Sequence, residues 1–224
     1  MTYWHFTAMQ VRHKATRGLD LHLARLDAAN REIFDTPLDG DEVRARIRQA
    51  LGDTDDASVR VIAAQAGFIV TVRPPASDPP SPQRVQSVAY QRPLAHLKHS
   101  GGFAQEYYRR RAERAGFDEI LLTGPAGEIS EGGITNVAFV DGDALVWPDA
   151  PHLAGITMQL LQKAVPGRHS PVHRDELRTS EGGFLTNSHG IAVMASVDDI
   201  VLPVARAMRQ RLHDAYRDVP WDVI

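Results

Sequence analysis

The chain has 224 residues, with 28 acidic and 25 basic side chains, a net charge of -3 and no cysteine. That balance argues against a nucleic-acid binder with a wholly basic surface, and the absent thiols exclude disulfides and thiolate metal sites, as in a reducing, cytoplasmic setting. With 43% hydrophobic and 24% charged residues a sizeable core is possible; no apolar run reaches the roughly 20 residues of a membrane helix, and MTYWHFTAMQVRHK lacks the order of a signal peptide.

Along the chain, LDLHLARLDAANREIFD spaces Leu19, Leu23, Leu26 and Ile33 for an amphipathic helix over about Leu21 to Phe34. Asp39 to Asp41 offer caps for a second helix, DEVRARIRQAL, which Gly52 ends. VRVIAAQ and FIVTVR alternate like strands paired around Ala66-Gly67. The proline-rich stretch 74–82 cannot donate a regular sheet ladder. It separates an expected small N-terminal α/β domain, residues 1–73, from a larger C-terminal domain, residues 83–224.

Beyond the linker, RVQSVAY reads as a strand and FAQEYYRRRAERAGF as a helix ended by Gly116. The cluster from Tyr107 to Arg114 adjoins tyrosine to arginine, yet Glu106 and Glu113 interrupt its charge, so it reads as a solvated helix face. DEILLTG and NVAFVDGDALVWP are strand material with a turn at Asp141-Gly142. Gly155-Ile156-Thr157 opens a helix through Val165, a strand pair surrounds GGFLTNSHGIAVMASVDDI, and a last helix starts near Val204. The ten histidines show no metal-ligand spacing, so no metal is expected.

Of the 25 basic residues three are lysine: Lys14, Lys98 and Lys163. Arginine stays protonated, whereas lysine can lose its proton and act as nucleophile or base, so a retained lysine marks a need for an amine. Lys98 stands in LAHLKHSGG, between a strand and a helix. Alone it reads as a surface lysine, and Glu131 in ISEGGITNVAF as a solvated turn residue.

Their order changes that reading. Lys98, a helix, a strand, Glu131 in Glu-Gly-Gly-Ile-Thr-Asn, a hairpin and the Gly155-Ile156-Thr157 helix start resemble the class IV, or fold type IV, aminotransferases. That family uses pyridoxal phosphate and includes branched-chain and D-amino acid aminotransferases and aminodeoxychorismate lyase. Lys98, Glu131 and Asn136 keep the family's spacing, and His22-Leu23-Ala24-Arg25-Leu26 matches its His, two variable residues, Arg-Leu. The resemblance runs from Phe6 to about Pro203.

It implies an α+β, two-domain fold like that of D-amino acid aminotransferase, with a β-barrel-like larger domain, the cofactor in the cleft between the domains and a homodimer completing it. Lys98 becomes the catalytic lysine, holding pyridoxal phosphate as an aldimine. Glu131 faces the ring nitrogen, whose protonated form a carboxylate favours, and Gly132 and Gly133 let the backbone pass close to the ring. Arg25, the amides of Ile156 and Thr157, the Thr157 hydroxyl, and Asn187 and Ser188 in the Thr186-Asn187-Ser188-His189-Gly190 turn form the phosphate cup. The implied reaction transfers an amino group between an amino acid and a 2-oxo acid. The Lys98-His99 pair also suits a 4-amino-4-deoxychorismate lyase. The chain begins almost at Phe6-Thr7, where the family has a longer N-terminal segment, and it carries Met158 where arginine is usual and Phe103 where some members have tyrosine. Those departures suit a third reading, a non-catalytic relative serving as a binding subunit.

Overall fold

The computed structural model describes residues 3–224, and the chain divides into two units. The first takes the chain up to Ser77 and adds two distant pieces, Leu97–Gly101 and Val219–Ile224. Its elements are β1 (His5–Val11), β2 (Ala15–Arg17), α1 (Leu19–Phe34), α2 (Gly40–Leu51), β3 (Ala57–Ala64), β4 (Gly67–Arg73) and the chain's last strand, β14 (Trp221–Val223). β1, β3 and β4 make an antiparallel sheet in that order, and β14 pairs antiparallel with β2. The expected hairpin around Ala66-Gly67 is β3–β4, with Gly67 at φ 121°, where glycine alone is unstrained.

β1 alternates strictly, burying His5, Thr7, Met9 and Val11 and turning Phe6 the other way. Met9 and Val11 join Leu19 and Leu26 of α1, Val43 and Ile47 of α2, Val59 and Val61 of β3, and Ile224 in one core. Thr7 and His5 continue that inward row as polar groups, and α1 supplies their partners, His22 and Asn30. The segment Leu97–Gly101 lies along β1: Lys98 accepts the Phe6 N–H at 2.8 Å, Ser100 donates to Trp4 at 2.9 Å, and His5 bridges His99.

The second unit spans Asp78–His96 and Gly102–Asp218. It contains β5 (Gln83–Ala89), α3 (Phe103–Arg114), β6 (Glu119–Thr123), β7 (Ile129–Gly132), β8 (Asn136–Asp141), β9 (Ala144–Pro148), α4 (Ile156–Ala164), β10 (Gly167–Ser170), a 3-10 turn (Arg174–Thr179), β11 (Gly183–Asn187), β12 (Gly190–Val197), β13 (Ile200–Val201) and α5 (Arg206–Arg217). One sheet runs β10-β9-β8-β11-β12-β5-β6-β7, with β13 on β12. Strand β5, helix α3 and parallel strand β6 form a crossover unit. β7 also approaches β8 and β9, so the sheet curls.

Both faces of this sheet are covered, which is why strands such as EILLT are apolar almost throughout rather than alternating. One face packs Val85, Leu121, Ile129, Phe139, Leu185 and Met194 together. The other receives Met158 and Leu161 from α4 and Met208 and Leu212 from α5. The fold is thus α+β, with a small N-terminal unit and a larger one built on a curled sheet, as the resemblance implies. Among the described residues no helix is long and apolar enough to cross a membrane.

Candidate active site

In the first unit, His22 and Arg25 lie three residues apart on α1 and so share a face. Thr7 joins them: its Oγ1 lies 2.7 Å from His22 Nδ1 and accepts from Arg25 Nη2. If Thr7 gives its single proton to His22 Nδ1, its oxygen is left as the acceptor that Arg25 needs. Burial, with Arg25 and Lys98 adding positive charge nearby, holds His22 well below its ordinary value, so its ring is neutral at pH 7. Burial also lowers the Arg25 guanidinium to about 10, still charged at neutral pH. Its Nε is buried with no partner among the described residues, an unusual state for an arginine N–H.

Lys98 lies in irregular chain between β5 and α3, well past the end of the strand. Its Nζ stands 5.0 Å from the centroid of the Phe6 ring, whose face attracts a cation. Half-buried Lys98 contrasts with Lys14, which meets Asp55 at 3.9 Å, and Lys163, both exposed.

In the second unit, β7 places Glu131 inward, at 6% side-chain exposure. Its Oε1 accepts from Arg92 Nε at 2.8 Å, and Arg92 is equally buried. Its Oε2 accepts the Leu153 N–H at 3.1 Å. The Leu153 carbonyl in turn accepts from Asn136 Nδ2 at 2.6 Å and from the Gly155 N–H at 2.9 Å. A short chain of hydrogen bonds therefore ties Glu131 to the residue that opens α4.

That helix start is bare. Gly155 provides no side-chain cap, the first turn holds no acidic residue, and Ile156, Thr157 and Met158 are buried while their N–H groups meet no acceptor among the described residues. A buried helix end without partners requires one, and aligned N–H groups select an anion. Thr157 Oγ1 donates to the Asn187 carbonyl at 2.7 Å, which brings the β11–β12 turn, with Asn187 and Ser188, against this end. The backbone is also close: a Cβ on Gly155 would lie 2.0 Å from Asn136 Oδ1. At Gly132 the atom a Cβ would strike is Thr135 Oγ1, at 2.0 Å, so this glycine serves the protein's own packing.

Residues 4–197 match the model of the amino-transferase class IV family. The chain belongs to that family. Among solved structures, it is similar to a Legionella pneumophila protein assigned as a 4-amino-4-deoxychorismate lyase, at 18% identity and TM-score 0.87, over 97% of this chain and 91% of that one. It is similar to a hypothetical aminotransferase of Mycobacterium tuberculosis in its PLP-bound form, at 20% identity and TM-score 0.80, over 96% and 88%. The branched-chain amino acid aminotransferase of Escherichia coli follows at 17% identity and TM-score 0.82, over 96% and 84%. These identities establish the fold, fold type IV. A search of curated proteins finds no match.

For this class IV family member, the expected residues fall into two groups. Lys98 and Arg25 lie in the first unit, and Glu131, Ile156, Thr157, Asn187 and Ser188 in the second. Sequence reasoning missed Arg92, Thr7 and the Leu153 amide. The available signal for Arg92 was a lone arginine in QRPLAHLK, beside a proline in otherwise largely apolar chain.

Proposed function

We propose that this protein is a pyridoxal phosphate-dependent aminotransferase, moving an amino group from an amino acid to a 2-oxo acid as a cytoplasmic homodimer. The observation that carries the reading is the bare start of α4, tied through Leu153 to the carboxylate of Glu131. An anion-binding helix end and a carboxylate held in register with it suit a ligand that carries a phosphate and a basic ring nitrogen. In the first unit, the buried Arg25 Nε without a partner among the described residues is likewise a donor that suits an anion. The PLP-bound relative from M. tuberculosis supports the same choice of cofactor.

When bound, the cofactor supplies an electrophilic aldehyde carbon and a ring that draws electrons from the substrate's α carbon. The Ile156 and Thr157 amides, the Thr157 hydroxyl, Arg25 and the Asn187-Ser188 turn hold its phosphate. Glu131 keeps a proton on the ring nitrogen, because a carboxylate favours the charged form of its neighbour. Lys98 would hold the group at its aldehyde carbon, and its amine would take up and return the proton of the substrate's α carbon.

With three lysines in the chain, the attachment point can be tested exhaustively. The protein is incubated with pyridoxal phosphate, reduced with borohydride and digested, and the peptide masses are read. The modified peptide should contain Lys98, and Lys98→Ala should trap nothing. Modification at Lys14 or Lys163, or at no lysine, would sink the assignment. The Lys98-His99 pair keeps a lyase reading open. Turnover of 4-amino-4-deoxychorismate without a 2-oxo acid, and none of an amino acid panel with 2-oxoglutarate, would select it.

A further inference from the structure

The pair formed by Arg92 and Glu131 has a role of its own. Each side chain is 6% exposed, and Arg92 Nε meets Glu131 Oε1 at 2.8 Å. Arg92 is itself anchored, donating through Nη2 to the Ala95 carbonyl in the turn that precedes the Lys98 segment. Glu131 is therefore gripped at both oxygens, by a fixed guanidinium on one side and the Leu153 N–H on the other. A carboxylate offers about four lone-pair sites, so each oxygen keeps one free to accept from a ligand. Without Arg92 the buried carboxylate would have no cationic partner whenever the site lacks a cationic ligand, and Oε1 would lose the donor that fixes its direction.

We infer that Arg92 is a positioning residue, holding Glu131 as an oriented carboxylate before a ligand arrives, so that a ring nitrogen docking against it is kept protonated. This rests on the proposed use of pyridoxal phosphate. Arg92 acts through Glu131 and touches no reacting atom.

The test uses pyridoxal phosphate labelled with nitrogen-15 at the ring, bound to the full chain and read by NMR, since protonated and neutral ring nitrogens resonate far apart. The parent should show the protonated signal. Arg92→Gln and Glu131→Gln should both move it toward the neutral position, and Arg92→Lys, which keeps the charge, should largely restore it. A folded Arg92→Gln protein that retains the parent's signal would overturn the inference and leave the proposed function standing. Failure of the parent to bind the labelled cofactor would overturn both, starting with the function. Should Arg92→Gln alone not fold, the double variant Arg92→Gln/Glu131→Gln carries no orphaned charge and serves instead. Its cofactor affinity should match that of Glu131→Gln within about threefold, as expected when one residue acts only through the other. A larger gap would show that Arg92 acts by itself, against the inference.

Discussion

His22 cannot take up a proton at the pH where an exposed histidine does, because burial and its cationic neighbours Arg25 and Lys98 oppose the charge. The unfolded chain is under no such restraint. Below about pH 6.5 the unfolded state therefore binds the extra proton and the folded state does not, so stability falls with falling pH until the folded value is reached. One such group contributes a slope of up to about 1.4 kcal/mol per pH unit. His5 and His189, also lowered by burial, act in the same direction, whereas Glu119, raised by burial, acts in the opposite one from its ordinary value upward. The difference between parent and His22→Gln in urea unfolding, followed from pH 7.5 to about 5, isolates His22. The two curves should diverge as pH falls, the parent losing more; parallel curves would contradict a neutral His22. At Glu131 the prediction concerns rate. Glu131→Gln should slow proton transfer at the α carbon roughly a hundredfold, about 2.7 kcal/mol at 1.36 kcal/mol per tenfold, with a smaller loss in cofactor affinity. An unchanged single-turnover rate would return Glu131 to a structural role.

The starts of α1 and α4 are finished differently. α1 begins after Gly18, at φ 67° and without a side chain, and its first amide is capped from the far end of the chain by Asp222, 2.9 Å from the Leu19 N–H. Asp222→Ala should cost about 1 kcal/mol in urea unfolding, the usual worth of such a cap. It should also loosen Arg25 and so weaken cofactor binding; a loss within about 0.2 kcal/mol would show that the cap is idle. At α4 the start is left bare, and Gly155→Ala would drive a methyl toward Asn136 Oδ1, 2.0 Å away. The variant should lose cofactor affinity about tenfold or more, roughly 1.4 kcal/mol, as the helix end shifts, and titration followed by fluorescence quenching checks this. These two starts also show what a sequence can disclose. Gly155-Ile156-Thr157 announces α4, because small residues before an amphipathic run are a local signal. β2 and β14 are three residues each and pair across nearly the whole chain, so nothing local marks either. Arg92 escaped notice for the same reason: its partner Glu131 is a neighbour only through the β5-β6-β7 order of the sheet.

For the whole molecule, the proposed homodimer predicts twice the chain mass by light scattering at micromolar concentration with cofactor present; the mass of one chain would remove that part of the proposal. The composition of the first unit bears on a different matter. Ile224 is buried in its core and donates to the Lys14 carbonyl at 3.1 Å, while Trp221 stacks under Arg17, whose Cζ lies 4.2 Å from the ring. A ribosome delivers those residues only after the whole of the second unit up to Asp218. The unit that carries Lys98 thus stays unfinished until residues 219–224 emerge, even though most of it emerges early. Nascent chains arrested before Val219 should be cut by added protease within residues 1–77, and released chains should resist. Lys98 thus sits in a unit that three separate stretches of the chain must complete.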